Sequence, residues 1–367
     1  MARVLLLALG LIVTASLLAA RTGGVATAAA PSANSGAESG FTHLDFRGVA
    51  IQLQHSAARA DVAIRLVREV AALGADTVLI CPTASMEHAR AQAIFVDMRR
   101  TSTPEELSAI LREARQLGLR TILMPLVLLS HPRGSEWRGV IEPPEWDDWW
   151  RQYRDYINQY ADIAAANQVD LLMVGSELVS TEKFTSEWVE TIKRIRQRFS
   201  GKLGYSANWD HYEPIRFWDQ LDYVGMTSYY TLADRRNPSV DEIVKRWQPI
   251  RDKILDWQRR IGKPVILTEV GWCSQEGAAT APWNYYQNTR ASAAGLEEQR
   301  RLYEGFVQAW GGSQGLAGVV WWEWTNTAGG AEDFDYTPKG KPAEQLLRDW
   351  FEESCRRPVA DTNGAQP

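Results

Sequence analysis

A single (β/α)8 barrel is the fold this sequence predicts, and three observations predict it. Eight short β-branched, apolar runs recur between residues 46 and 324, separated by longer stretches, most of them amphipathic. The runs are continuously apolar rather than alternating, as strands buried on both faces must be. No G-x-G-x-x-G follows the first run, which argues against a dinucleotide-binding, doubly wound sheet. The chain has 367 residues, 45% apolar and 23% charged. That is enough for one large core, and the balance excludes disorder, collagen-like repeats and a coiled coil.

The elements follow in order. Strand one is expected over Phe46 to Gln54, with a helix near Arg59 to Leu73. Strand two is Asp76 to Cys81, closed by Pro82. Thr103-Pro104-Glu105-Glu106 reads as a helix start, with Thr103 as cap and Pro104 at the first helical position. That helix ends at Gly118, and Arg120 to Leu129 makes strand three. Trp146, Trp149, Trp150, Tyr153, Tyr156, Ile157, Tyr160 and Ile163 recur at three- and four-residue steps and mark the next helix. Strand four is Asp170 to Leu178, then a helix from about Ser186 to Phe199. Strands five and six are Lys202 to Trp209 and Leu221 to Tyr230. A helix around Val240 to Ile261 leads to strand seven, Pro264 to Trp272, and one near Leu296 to Trp310 leads to strand eight, Leu316 to Trp324. A last helix covers Ala343 to Glu353. Eight strands, each followed by a helix, make the barrel count, with one domain over residues 41–355.

The flanks read differently. Met1-Ala2-Arg3 and the apolar run Val4 to Ala20 lead into small residues suited to signal-peptidase cleavage. Residues 1–30 are therefore expected to be a signal peptide, and the protein secreted or periplasmic. The run is also at the lower limit for a membrane span, so an uncleaved anchor over residues 4–20 stays open. No Cys lies near it, which excludes a lipoprotein. Residues 31–40 (PSANSGAESG) read as a linker, and residues 356–367 as a disordered tail.

A net charge of −5, from 40 Lys+Arg against 45 Asp+Glu, excludes a phosphate-backbone partner such as nucleic acid. Cys81, Cys273 and Cys355 are far apart, with no C-x-x-C, and the five histidines show no ligand spacing. No metal and no cofactor is expected. Free buried thiols are the plainer reading of the cysteines, although an exported chain could form one disulfide. Trp is the anomaly: 16, against 9 Phe and 12 Tyr. Such rings fill cores, and their flat faces also stack on sugar rings. Composition leaves both uses open.

In barrels of this kind the chemistry sits where strands end. Glu177 and Glu269 each follow an apolar run directly, at the ends of strands four and seven. A carboxylate there costs desolvation unless something pairs or uses it. A rim salt bridge is one reading, and the other is glycoside chemistry, in which one carboxyl protonates the leaving oxygen and the other attacks or activates water.

Longer motifs sharpen this. Val174-Gly175-Ser176-Glu177-Leu178, Tyr205-Ser206-Ala207-Asn208-Trp209, Trp218 to Gly225, Lys263 to Trp272 and Gly318 to Trp324 stand in this order and spacing. The chain thereby resembles glycoside hydrolase family 113 over roughly Phe46 to Phe351. The resemblance implies a retaining hydrolase, β-1,4-mannanase-like, with Glu177 as acid/base and Glu269 as nucleophile. It implies that Tyr229 hydrogen-bonds the nucleophile, a rim tyrosine packed on a helix being the other reading, and Trp322 is either a platform under the sugar at the cleavage point or core packing. Asn208 could contact the sugar 2-hydroxyl or cap its own loop. Trp209, Trp272 and Trp283 are further platform candidates. Two departures stand out: Ser176 occupies the place where the wider clan usually has Asn, and Leu123-Met124-Pro125-Leu126-Val127 is apolar where relatives place polar residues.

Glu323, between Trp322 and Trp324, is expected to point outward and be structural. Asp76 and Asp222, early in their strands, should lie at the opposite end and serve stability. The stretch from Gln275 to Leu296 is a candidate cleft wall. The partner expected is a polysaccharide or oligosaccharide, bound by a monomer. Two alternatives remain: hydrolysis of another β-glycan, and a non-catalytic, surface-anchored carbohydrate-binding barrel.

Overall fold

The computed structural model describes residues 43–54, 59–285 and 290–355. The expected signal peptide, linker and tail lie outside the described residues.

All eight strands form, each a buried apolar run. They are β1 (Phe46–Leu53), β2 (Thr77–Met86), β3 (Arg120–Leu123, continued by Leu126–Leu129), β4 (Leu171–Ser176), β5 (Lys202–Ala207), β6 (Tyr223–Thr227), β7 (Val265–Val270) and β8 (Leu316–Trp321). Every neighbouring pair is parallel. β8 returns to β1 through Phe46 opposite Gly318, and β1 lies beside β2, so the sheet closes into a barrel. β3 is interrupted because Pro125 has no N–H to give the ladder. Both halves still pair with β2, through Ile122 opposite Leu79 and Val127 opposite Ala84.

The helices are α1 (Ala60–Ala72), α2 (Pro104–Gln116), α3 (Trp146–Asn167), α4 (Thr185–Arg196), α5 (Val240–Ile261), α6 (Ala293–Trp310) and α7 (Pro342–Ser354). Thr103 caps α2 as its sequence requires. Its hydroxyl accepts from the Glu106 N–H, and the Glu106 carboxylate accepts from the Thr103 N–H. Ser239 and Glu242 repeat the device at α5.

One expectation is corrected. β5 is not followed by a helix; a single 3-10 turn, Trp218–Gln220, joins it to β6. Aromatic rings fill the space a helix would cover. Phe217 is fully buried, stacked on Trp188 and edge-on to Tyr205.

Two apolar layers result. Phe46, Ala50, Leu79, Cys81, Met173 and Val320 fill the barrel interior. A larger layer between barrel and helices holds Trp149, Trp150, Trp188, Trp247, Trp310 and Trp321, all fully buried. Most of the tryptophan excess is therefore packing. Cys81 and Cys273 are buried free thiols, and Cys355 is a half-buried one. Among the described residues no helix is long and apolar enough to cross a membrane.

Candidate active site

The C-terminal ends of β4 and β7 bring Glu177 and Glu269 together in the barrel mouth. Glu177 is the first residue past β4 and adopts a left-handed backbone, φ 51°, which a non-glycine residue holds only when its surroundings impose it. Those surroundings are specific. The Glu177 N–H donates to Ser206 O at 2.8 Å, and the next N–H, of Leu178, donates to the Tyr205 hydroxyl at 3.0 Å. Gly175 is needed just upstream, because a Cβ there would meet Trp188, Tyr153 and Tyr205 at 2.8–2.9 Å. On the other side, the ladders of β7 slip register against both neighbours, between Met226 and Thr227 of β6 and between Leu267 and Val270 of β7. Bulges of this kind re-aim side chains next to sites.

The two carboxylates are 6% and 3% exposed and share one cation. Arg138 Nη2 donates to Glu177 Oε2 at 2.6 Å and lies 3.7 Å from Glu269 Oε1. The remaining oxygens have neutral donors. Thr227 Oγ1 donates to Glu177 Oε1 at 2.9 Å, and the Tyr229 hydroxyl donates to Glu269 Oε2 at 2.8 Å. Glu269 Oε1 is buried with no hydrogen-bond partner. Burial first, and then the charge of Glu177, push Glu269 up to about 8, against the pull of Arg138 and Tyr229. Glu269, desolvated beside a second carboxylate, therefore holds its proton near neutral pH. Burial alone would lower Arg138, but Glu177 and Glu269 hold it above its ordinary value, so it stays charged.

Two more acids flank the pair, Glu182 buried and Glu323 half-buried. Glu182, in the loop after β4, accepts from the Tyr205 hydroxyl at 2.6 Å and is pushed up to about 8 by burial. Glu323 is the correction. Its carboxylate turns into the barrel mouth rather than outward, accepting from Gln52 Nε2 at 2.9 Å, and burial pushes it up to about 7. The alternation holds through Trp322, which faces the interior after the outward Trp321, and breaks at Glu323, past the end of β8.

The aromatic candidates divide. Trp322 sits at the top of the interior layer, 7% exposed, with its backbone O packed so close to Gly271 that a Cβ there would fall 2.0 Å away. Trp209 and Trp283 stack on each other at 5.8 Å and 18°, and Trp283 is 47% exposed at the rim. The Trp209 backbone N–H donates to Thr227 Oγ1, the hydroxyl bonded to Glu177, which anchors this ledge beside the pair. Trp272 does not. It points outward from the barrel, fully buried against Trp247, Tyr303 and Phe306 of α5 and α6, and has no face to offer a sugar. The Asn208 amide donates to Asp210 at 2.6 Å, within its own loop.

Sequence reasoning missed Arg138, Thr227 and Gln52. Arg138 lies on a short 3-10 turn, Arg138–Val140, inside a long loop with no strand or helix period to place it. Gln52 did carry a signal, since it shares parity on β1 with the interior residues Phe46 and Ala50. Among the described residues no group of His, Cys, Asp and Glu could hold a metal ion.

The arrangement is suited to moving one proton and one covalent bond at a carbon lying between two acids. A model of glycoside hydrolase family 113 matches residues 49–341. Among solved structures, a family 113 β-mannanase from Alicyclobacillus acidocaldarius, in complex with ManMIm, is similar at 28% identity and TM-score 0.72. The similarity covers 85% of this chain and 97% of that one. A second family 113 β-1,4-mannanase shares the fold at 24% identity and TM-score 0.73, over 84% and 99% of the two chains. An endo-β-1,4-mannanase from Thermotoga petrophila shares it at 12% identity and TM-score 0.56, over 84% and 77%. No curated protein matches.

Proposed function

The chain belongs to glycoside hydrolase family 113, and on that premise we propose that it cleaves β-1,4-mannan or glucomannan with retention of configuration, Glu177 serving as acid/base and Glu269 as nucleophile. The observation that carries the reading is the shared guanidinium. Because Arg138 Nη2 is 2.6 Å from one carboxylate and 3.7 Å from the other, their nearest oxygens are no farther apart than the sum of the two. A bound of that size on the nearest oxygens accommodates the about 5–5.5 Å carboxyl separation of a retaining pair.

Glu269 Oε1, the oxygen without a donor, attacks the anomeric carbon. Glu177 gives its proton to the departing glycosidic oxygen as that carbon–oxygen bond breaks. Tyr229 stays on Glu269 Oε2, leaving the attacking oxygen free. In the second step Glu177 takes a proton from water, the water oxygen bonds to the same carbon, and Glu269 leaves as carboxylate. Two inversions retain the configuration.

The chemistry needs a proton on Glu177 when substrate is bound. A sugar entering between the acids displaces Arg138 from the gap. Glu177 then loses its cation while Glu269 keeps its Tyr229 donor, which moves the proton toward Glu177. Trp322 floors the site, and the Trp209–Trp283 pair supplies a ledge for a neighbouring sugar. Mannan is the substrate named for the relative at 28% identity, which supports that choice over other β-glycans. We further propose that the enzyme is exported through residues 1–30 and acts as a monomer.

The test is a reducing-sugar assay of residues 31–367 on β-mannan, glucomannan and β-glucan, beside Glu177→Gln and Glu269→Gln, with the first-formed anomer read by proton NMR. Release from mannan as the β-anomer, abolished in both variants, is the expected result. An α-anomer first product overturns retention. Silence on all three polymers with binding intact moves the weight to a carbohydrate-binding barrel.

A further inference from the structure

Glu323 is a desolvated acid in the barrel mouth that the double displacement does not use. Among the described residues it has no ion-pair partner, and its sole hydrogen-bond donor is the Gln52 side-chain amide, on Oε2. Gln52 is itself held from behind, because Gln54 Nε2 donates to Gln52 Oε1 at 3.1 Å. That bond fixes which way the Gln52 amide faces. It leaves two groups side by side without a protein partner: Glu323 Oε1, an acceptor, and the second Nε2 proton of Gln52, a donor. Oε1 is not among the sealed, unpartnered atoms of the interior, and Glu323 is half-buried, so this oxygen faces solvent in the mouth. An adjacent acceptor and donor match one kind of group, a hydroxyl, which donates and accepts at once.

Position says which sugar carries it. β8 and β1 are neighbours and stand across the closed barrel from β4. The leaving group departs on the β4 side, where Glu177 protonates it, so the body of the sugar that Glu269 retains extends toward β8 and β1. Within a 1,4-linked chain that ring has its first and fourth oxygens in linkages, and its 2-hydroxyl lies beside the reacting carbon. The hydroxyls that reach the far wall are those on carbons three and six.

We propose that Gln52 and Glu323 form a substrate-binding pair that grips a free hydroxyl, on carbon three or six, of the sugar bonded to Glu269, and so requires that hydroxyl to be unsubstituted. The inference rests on the hydrolase reading above and adds to it a specificity determinant in a part of the mouth remote from the acid/base.

The experiment uses residues 31–367 as wild type, Glu323→Gln, Glu323→Ala and Gln52→Ala, with thermal melts to show that each folds. Initial rates are measured on mannohexaose and on aryl β-mannobiosides whose cleaved ring is intact, 3-deoxy or 6-deoxy. In parallel, mannotetraose is titrated calorimetrically into a Glu269→Gln host with and without Glu323→Ala. Loss of a hydrogen bond to a charged group lowers kcat/KM by about 10- to 150-fold, and that is the result expected for Glu323→Ala, with Gln52→Ala at the lower end. One of the two deoxy substrates should cost wild type a similar factor and cost Glu323→Ala almost nothing further, because the same contact is already gone. A packing role would leave the two losses multiplicative. Multiplicative losses, or an active wild type with Glu323→Ala and Gln52→Ala both within about threefold of it, overturn this inference and leave the hydrolase standing. A wild type silent on every mannan substrate, with no mannotetraose bound by the host, overturns the substrate reading and this inference together.

Discussion

The two ends of this barrel use the same acidic side chains in opposite ways. At the end where the strands begin, Asp76, Asp170 and Asp222 stand immediately before β2, β4 and β6. Each reaches to the start of the preceding strand and accepts its backbone N–H: Arg47 at 3.0 Å, Thr121 at 2.7 Å and Leu203 at 2.9 Å. Asp76 and Asp222 add cations, Arg47 for the first, Arg196 and Lys202 for the second. Burial alone would raise Asp222, but its bonds to Arg196 and Leu203 outweigh it and hold the carboxyl below its ordinary value. At the other end, among the described residues, Arg138 is the one guanidinium bonded to any of Glu177, Glu182, Glu269 and Glu323, and three of the four are raised to about 7 or 8. The first set is hydrogen-bonded within the fold and ties neighbouring strands together. The second is left partly unpaired, a state that costs stability and serves when a ligand completes it.

The sharpest way to break this comparison is one carboxyl from each end. Glu269→Gln should lower the hydrolysis rate by about 10⁴-fold or more while leaving the melting temperature unchanged or raised, since a neutral amide replaces a carboxyl whose ionisation burial opposes. Asp76→Asn should do the reverse. It breaks a charge-assisted network and should cost roughly 1–3 kcal/mol of unfolding free energy in urea titration, with kcat and KM at wild-type values. If Asp76→Asn impairs turnover at unchanged stability, the division between the ends is wrong.

The pH dependence of stability comes next. Glu182, Glu269 and Glu323 have folded-state values of about 8, 8 and 7, above the 4.5 of the unfolded chain. The native state thus binds more protons than the unfolded one across that window, and stability falls as pH rises through it. Asp222, held low, acts oppositely: its contribution is present at neutral pH and lost as pH falls through its folded value. The melting temperature should therefore be higher near pH 5 than near pH 8. Glu182→Gln should flatten the slope, and a melt that is flat across this range would show that the mouth acids ionise freely.

The smallest effect belongs to the rim. Trp283→Ala removes one exposed ring of the stacked pair and should raise KM on mannan about 5- to 10-fold, in keeping with roughly 1 kcal/mol for one aromatic contact, with kcat unchanged. Trp272→Phe should instead act on stability alone, because Trp272 packs between barrel and helices. Michaelis constants and melts on the two variants separate the roles.

What the sequence determined by itself was whatever is written at short range. Strand positions follow from apolar runs, α2 from Thr103, Pro104 and Glu106, and α3 from an aromatic stripe at three- and four-residue steps. Glu177 and Glu269 were legible because each follows a buried apolar run directly, where a carboxylate stands out. Tertiary closure decided the rest. Arg138 comes from a loop without period and meets both acids only because the barrel folds that loop over its mouth. Trp272 and Trp322 both end a strand in sequence, yet one faces the helices and the other the interior, and Glu323 faces inward where alternation implied outward. The helix expected after β5 is replaced by Phe217 of the connection, packed on Tyr205 of β5 and on Trp188 of α4. Periodicity is a property of neighbours along the chain, whereas the direction of a side chain past a strand's end is set by what lies across the barrel from it.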